Sequence, residues 1–153
     1  MNEDYFISID GTMELEDGQD DKVQMMTRGS FVRKNNSYYI VYHETEATGY
    51  AGCTTTVKVA MDESCVTMRR YGENTSQLVI EKGVRHLCHY DVGAAALTLG
   101  VAADEIHSHL TDEGGTVEFS YTLDSDRDMF LSRNLVRISV RRAEGVDPYA
   151  FRE

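Results

Sequence analysis

Two pairs of histidine and cysteine residues have the spacing that most resembles a metal site. His107 and His109 lie two positions apart, so on a β-strand both imidazoles would point to the same side. His86 and Cys88 form a second pair of this kind, with His89 on the opposite face. A zinc site needs further ligands, and neither pair has the nested spacing of a structural zinc motif. We therefore predict no metal and no other cofactor.

The acidic turn at Asp124, Asp126 and Asp128 imitates the start of a calcium-binding loop. Met129 stands where such a loop needs glycine, and Leu135 replaces its terminal glutamate. The sequence has no glycine-rich phosphate loop and no serine nucleophile motif. Three cysteines come without an evident base: Cys53, Cys65 and Cys88. No catalytic residue is predicted, and spacing alone assigns no enzymatic activity.

One cationic residue breaks the alternation of its own strand. Arg70 shares parity with Val66 and Met68, so its guanidinium is predicted to point into the interior near a strand end. A buried cation needs a partner. On other strands, three polar residues lie at positions that face the same side as the apolar residues of their strand: Tyr42, Glu44 and Tyr90. These side chains could lie close to Arg70 at one open end of a barrel. These residues and Arg70 are the predicted ligand-binding site. The alternative is an Arg-Glu pair with tyrosine hydroxyls that closes the barrel end.

The elements that would position these residues are short β-strands. Apolar and polar residues alternate most clearly in Val117–Asp124 and Val136–Arg141, and turn residues separate such runs throughout the chain. Asn35 and Asn36 predict a two-residue hairpin turn, because asparagine tolerates positive φ. Gly29, inside the preceding strand, is expected to mark a bulge or a sharp bend.

The segment Gly93–Leu110 is ambiguous, because its alanines favour a helix. We predict a strand, since the surrounding pattern is β throughout. The apolar residues before and after Ala102–Asp104 have opposite parity, so a continuous strand must contain a bulge there. With that bulge, His107 and His109 face outward.

The predicted fold class is all-β, an antiparallel up-and-down barrel of about eight to ten strands. Hairpin-linked strands leave two exposed edges unless the sheet closes or splits into a sandwich. Proline commonly protects an exposed edge strand, and this chain has only one proline. The scarcity of proline therefore favours closure of the sheet.

The length of 153 residues fits one domain, which we place at residues 1–143, with a C-terminal tail at 144–153. Gly145 and Pro148 should end the final strand, because proline lacks a backbone donor. Tyr149 and Phe151 follow as aromatic residues that are costly to leave in water. The tail is therefore expected to dock against the barrel or a neighbouring chain.

The net charge of −11 repels phosphate backbones and anionic lipids, so neither nucleic acid nor a membrane is an expected partner. The basic residues of the last strand-like segment are predicted to form its outer face: Arg133, Arg137, Arg141 and Arg142. No window approaches the ~20 apolar residues of a membrane span, and Met1–Asp4 lacks the features of a secretion signal. The odd number of cysteines indicates reduced thiols, and we predict a cytoplasmic protein.

The run Gly29–Glu44, followed by Thr54–Val59, resembles the YwiB-like family of uncharacterised bacterial proteins. Further matches extend over nearly the whole chain: Arg70–Gly72, Leu78–Ile80, Gly83, Tyr90, Leu97 and Leu99. That family is similar to calycins, up-and-down barrels related in shape to lipocalins. The resemblance implies an antiparallel barrel with a central cavity, and it implies no reaction.

Two functions remain open at this point. The first is a binding module that takes a small, partly apolar molecule at the mouth of the barrel. The second is a structural or protein-interaction module, with a homodimer among its expected assemblies. A barrel of about eight strands is just wide enough to be filled by its own side chains or to hold one small ligand. Whether large side chains plug the interior therefore separates the two.

Overall fold

The computed structural model describes residues 3–73, 75–92, 95–125 and 129–143, and most of them lie in antiparallel strands. Ten strands follow one another along the chain: β1 (Tyr5–Leu15), β2 (Asp20–Lys34), β3 (Ser37–His43), β4 (Thr54–Ala60), β5 (Cys65–Tyr71), β6 (Ser76–Glu81), β7 (Arg85–Val92), β8 (Ala95–Ser108), β9 (Gly114–Ser125) and β10 (Phe130–Arg142). Each strand pairs with its neighbours in sequence, and β1 pairs with β10. The ring is closed, which confirms the predicted all-β up-and-down barrel.

One turn of 3-10 helix, Glu46–Thr48, lies in the connection between β3 and β4. No helix in the described part of the chain has the length and hydrophobicity needed to cross a membrane. The predicted tail, 144–153, lies outside the described residues, as do Asp126 and Asp128.

The hairpin between β2 and β3 forms as predicted. Asn35 and Asn36 have φ values of 51° and 61°, the left-handed conformation that a tight two-residue hairpin turn requires. At Gly29 the ladder of β2 with β1 ends and its ladder with β3 begins, and neither contains a register shift, so the predicted bulge is absent from both ladders. The alternative, a sharp bend, stays a prediction. Glycine is needed there for space, because an added Cβ would collide with the Val41 carbonyl oxygen and the Ile7 side chain.

The ambiguous segment is a strand, and it contains the predicted bulge. The register of β8 against β9 shifts between Ala103 and Glu105. This shift turns Ile106 into the core and leaves His107 and His109 exposed. The hydrophobic burial of Ile106 on one side of the bulge and of Val101 on the other is what specifies it.

The outer face of β10 carries three of the four predicted arginines, all exposed: Arg133, Arg137 and Arg141. The prediction is wrong for Arg142, which is exposed but shares the face of the buried Val140 and donates from Nε to the Tyr5 hydroxyl at 3.3 Å. Arg133 pairs with Asp104 at 3.3 Å, and Arg137 pairs with Glu118 at 3.5 Å. Glu118 lies on the adjacent β9 and Asp104 on β8, one strand further round, so these two cations pair with carboxylates, as expected of a solvated strand face.

The joint between β6 and β7 is the weakest in the ring. Ser76 pairs with Tyr90, and Glu81 bridges to Val84 at the other end. Between these two points β6 has four residues and β7 has five, so β7 carries one extra residue and the ladder is interrupted. We call this joint the β6–β7 seam.

Side chains fill most of the barrel interior. Tyr5 packs edge-on against Phe31 with ring centroids 5.4 Å apart, and Phe31 stacks on Tyr38 at the same distance. Around them lie fully buried aliphatic residues from many strands: Ile7, Ile40, Val57, Val59, Val66, Ile80, Val101, Ile106, Val117 and Ile138. Polar side chains enter the interior at one end, which carries the β3–β4 and β5–β6 connections. We call it the polar end.

Candidate functional site

The cationic residue that breaks the alternation of β5 points into the barrel. Val66, Met68 and Arg70 share one face of the strand, and Val66 is fully buried. The Arg70 side chain is 14% exposed, and its Nη2 lies 3.7 Å from Oε2 of Glu44, whose side chain is 2% exposed. The structure therefore brings two of the four predicted site residues together as a buried ion pair.

Glu44 is held by donors from three different segments. It extends β3 by one residue, since its backbone N–H donates to the Cys53 carbonyl at 2.9 Å. The Thr48 hydroxyl donates to Oε1 at 2.9 Å, and the Thr55 hydroxyl donates to Oε2. Together with Arg70, these donors compensate a carboxylate that would otherwise be costly to bury.

Arg70 is clamped on several sides besides Glu44. Its Nη1 donates to the Ser76 hydroxyl on β6 at 3.4 Å. Its guanidinium carbon lies 3.7 Å from the centroid of the Tyr50 ring, a close cation–π contact. A guanidinium fixed in this way is oriented before any ligand arrives.

Tyr42 is the third predicted residue, and it lies buried beside the ion pair. Burial raises the pKa of its phenol well above the usual range, and the negative charge of Glu44 adds to that shift. Arg70 and a hydrogen bond with Thr55 oppose the shift without cancelling it. The phenol therefore stays protonated and neutral throughout the physiological range.

Tyr90, the fourth predicted residue, lies on β7 at the same level of the barrel. Its backbone pairs with Ser76 on β6, which in turn pairs with Arg70 on β5. On the other side it pairs with Leu97 of β8. The Tyr90 side chain lies outside the described part of the chain, so its predicted role stays a prediction.

A cavity of about 60 Å³ lies beside the guanidinium. Residues of four strands line it: Thr55, Met68, Arg69, Arg70, Ser76, Leu78 and Tyr121. We call it the Arg70 chamber. Leu97 has the parity of the buried Leu99 and Val101, yet it is 46% exposed. An interior-facing leucine that is nearly half exposed indicates that the polar end is open to solvent beside β8.

Sequence reasoning missed four residues of this site. Thr55 and Ser76 share the parity of the buried residues on their strands, so alternation was a signal that could have identified them. Thr48 and Tyr50 lie in the irregular connection between β3 and β4. No periodicity in the sequence indicates that this connection folds back over Arg70.

A second buried polar pair lies on β10, on the face that also carries Ile138. Asn134 donates its side-chain N–H to the Ser132 hydroxyl at 3.0 Å, and both residues are buried. Since β10 begins at the polar end, this pair extends the polar lining of the interior there.

The residues with metal-like spacing lie apart from the chamber. His86 makes a 2.8 Å contact with Glu81, and His107 faces solvent. Asp124 accepts a hydrogen bond at 3.0 Å from Nε of Arg85. Within the described ranges, no group of three or more histidine, cysteine, aspartate or glutamate side chains is placed to hold a metal ion.

The sequence profile of a domain of unknown function, DUF1934, matches residues 7–138, which span the barrel from β1 to β10. The chain belongs to the DUF1934 family. This family member is similar in structure to the ywiB protein from Bacillus subtilis, with a TM-score of 0.77, 21% identity and 91% of each chain covered. At that identity the likeness shows the fold, and it confirms the resemblance to YwiB-like proteins. No curated protein matches the chain.

Proposed function

We propose that this protein binds a small, partly apolar ligand whose oxygen-bearing end enters the Arg70 chamber. The observation that carries the proposal is an interior guanidinium that is already oriented by Glu44, Ser76 and Tyr50 and that lines a cavity. Preoriented polar groups bind well because little conformational entropy is lost when the ligand arrives. They also provide specificity at the end of an otherwise apolar pocket.

The size of the chamber limits what can enter. Ligand pockets are typically about 300–1,000 Å³, whereas this chamber holds about 60 Å³. It has room for one carboxyl, carbonyl or amide group in place of water. The apolar remainder of the ligand would then lie at the open side of the polar end, against Leu97.

The charge balance at the site favours recognition by hydrogen bonding. Glu44 offsets much of the positive charge on Arg70, so the chamber does not require a fully charged partner. A neutral Tyr42 phenol behind the pair adds no charge at physiological pH. We therefore propose a carbonyl or carboxyl oxygen as the recognised group.

A thermal-shift screen with small carboxylic acids, ketones and amides tests this proposal, together with native mass spectrometry for a co-purified molecule. The double variant Glu44→Gln/Arg70→Met removes both charges, and so leaves no buried charge unpaired. Lys58→Gln removes one exposed cation of β4 as the matched control. Saturation at a hundred times Kd stabilises by about 2.7 kcal/mol. This stabilisation should occur in the parent and in Lys58→Gln, and it should be lost in the double variant.

If no compound in the screen stabilises the parent, and no small molecule co-purifies, the ligand proposal is wrong. The same holds if stabilisation persists in the double variant, because the ligand would then bind elsewhere.

The filled interior supports a second candidate function, a structural or protein-interaction module. The stacked aromatic residues occupy space that a calyx would leave for a ligand. Several large apolar side chains at the polar end are also exposed: Met13, Tyr71, Leu97, Met129, Phe130 and Leu131. A homodimer through this end is the assembly we would test, by multi-angle light scattering of the parent and of a Met129→Ser/Phe130→Ser variant. A cytoplasmic location, which suits three free cysteines, belongs to both candidates.

A further inference from the structure

The β6–β7 seam leaves a second, larger pocket on the outer face of the barrel, and the proposed function does not use it. Its volume is about 410 Å³, within the range of small-molecule sites. Residues of β5, β6 and β7 line it. The pocket exists because the extra residue in β7 interrupts the ladder that would otherwise close this part of the sheet. We call it the seam pocket.

The wall of the seam pocket contains a weakly satisfied backbone donor. The N–H of Val79 donates to the sulfur of Cys88 at 3.4 Å, where a regular ladder would offer a carbonyl oxygen. A thiol is a weak acceptor compared with a carbonyl. The interruption of the ladder therefore leaves this N–H with a partner that a stronger acceptor could replace.

The side chains around that donor are cationic or neutral. Among the side chains that the structure describes, Arg69, His86 and His89 line the pocket and no carboxylate does. Glu81 lies outside the lining and contacts His86 at 2.8 Å. In a chain with 26 acidic and 15 basic residues, a described lining with Arg69 and no carboxylate has a formal charge opposite in sign to that of the chain.

An exposed apolar surface, which we call the apolar ledge, is formed by Leu87, Tyr71 and Val79 beside Arg69. Leu87 is 59% exposed and Tyr71 is 45% exposed, and both line the pocket with Val79. Arg69 lies 5.3 Å from the centroid of the Tyr71 ring, so the cation and the ledge are adjacent. Burying this ledge under an apolar group would be favourable.

We propose that the seam pocket binds a small amphipathic anion. The anionic group, a carboxylate or a phosphate monoester, lies against Arg69 and His89 and accepts from the Val79 N–H. The apolar body covers Leu87 and Tyr71. The seam pocket shares Arg69 and Ser76 with the lining of the Arg70 chamber but contains neither Arg70 nor Glu44, so variants of those two residues distinguish the failure of one proposal from the failure of the other.

Isothermal titration of the full-length protein with four probes tests this inference: octanoate, octyl phosphate, octylamine and inorganic phosphate. We expect the two amphipathic anions to bind at least about tenfold more tightly than octylamine or inorganic phosphate. Octylamine carries the opposite charge, and inorganic phosphate has no apolar body. Comparison of octanoate with octyl phosphate shows which anionic group the pocket prefers.

Variants locate the binding. Arg69→Gln/His89→Gln should weaken octanoate binding about tenfold or more, and Leu87→Ser should weaken it as well. Arg137→Gln/His107→Gln, an exposed arginine and histidine on β10 and β8, is the matched control and should bind like the parent. Melting temperatures confirm that each variant is folded.

Three results would overturn the inference. Octylamine could bind as tightly as octanoate, which would remove the role of charge. Octanoate could fail to bind the parent. Octanoate binding could also survive Arg69→Gln/His89→Gln and disappear in Glu44→Gln/Arg70→Met, which would assign the anion to the Arg70 chamber and favour the proposed function instead.

Discussion

At the scale of single residues, the buried pair of Arg70 and Glu44 dominates the polar end. Both side chains are largely removed from water, so each depends on the other and on neighbouring hydroxyls for compensation. A buried ion pair is not in itself strongly stabilising, because desolvation offsets the attraction. The loss of one partner is costly, since it strands a charge in the interior. The pair therefore serves better as an orienting device than as a source of stability.

Arg70→Met is expected to destabilise the protein by about 3–5 kcal/mol, because it leaves the Glu44 carboxylate buried without its cation. The double variant Glu44→Gln/Arg70→Met should recover most of that loss. Urea unfolding of the parent and of both variants measures the effect as a shift of the unfolding midpoint, while the dependence of the unfolding free energy on urea concentration stays unchanged. Equal destabilisation by the single and double variants would contradict the coupling.

Tyr42 makes stability fall at alkaline pH. Its folded-state pKa is raised, so the phenol stays protonated in the folded protein while it ionises in the unfolded chain above about pH 10. The unfolded state then binds fewer protons, and the free energy of unfolding decreases as pH rises. Tyr42→Phe should flatten this decrease in urea titrations between about pH 9 and pH 11. Tyr71→Phe, at an exposed tyrosine, is the control and should keep the slope of the parent.

At the scale of elements, the ten strands differ in how completely they are paired. The β8–β9 ladder absorbs its bulge and resumes in register after Glu105. At the β6–β7 seam no regular ladder forms between the Ser76–Tyr90 pair and the Glu81–Val84 bridge. The backbone N–H of Val79 donates there to the Cys88 sulfur in place of a carbonyl oxygen. Both strands return a side chain to the core, Ile106 after the β8 bulge and Cys88 in β7, so the difference between them lies in the backbone pairing.

Amide hydrogen exchange should be fastest, among the paired strands, along the seam. Residues 77–80 and 86–89 lack a regular ladder on the seam side, so local opening there breaks fewer hydrogen bonds. Residues 55–59 of β4, which are paired on both sides, serve as the internal reference. Mass spectrometry or NMR measures the exchange rates. Equal rates in the two regions would show that the seam is as stable as the rest of the ring.

At the scale of the whole molecule, closure and internal packing act together. Because β1 pairs with β10, no strand in the ring is an exposed edge along its full length. The interior is shared by residues from nearly all strands, so no subset of strands has a core of its own. The interior that makes the barrel stable also leaves little room for a ligand.

The barrel should therefore unfold in one cooperative transition. Tyrosine fluorescence and far-ultraviolet circular dichroism should give coincident urea curves, because the strands lose their shared core together. Curves with different midpoints would contradict a single cooperative unit, and so would contradict the prediction of one domain.

The strand alternation determined most of the fold by itself. Three features follow locally from the two-residue repeat of side chains along a strand and from backbone sterics. They are the alternation in Val117–Leu123 and Val136–Val140, the turn at Asn35, and the bulge before Ile106. Parity also placed Arg70 in the interior. The presence of Gly29 in a strand did not reveal the reason for that glycine, which is the close approach of Val41 and Ile7 across the sheet.

Only the tertiary structure decided what surrounds Arg70. Tyr50 and Thr48 reach the guanidinium and its partner from an irregular connection, where no periodicity fixes direction. The size of the chamber depends on how Met68 and Tyr121 fill the space from different strands. The seam pocket depends on the register of β6 against β7, which is set by which side chains are buried around the entire ring. These are distances between residues far apart in sequence, and local pattern contains no information about them.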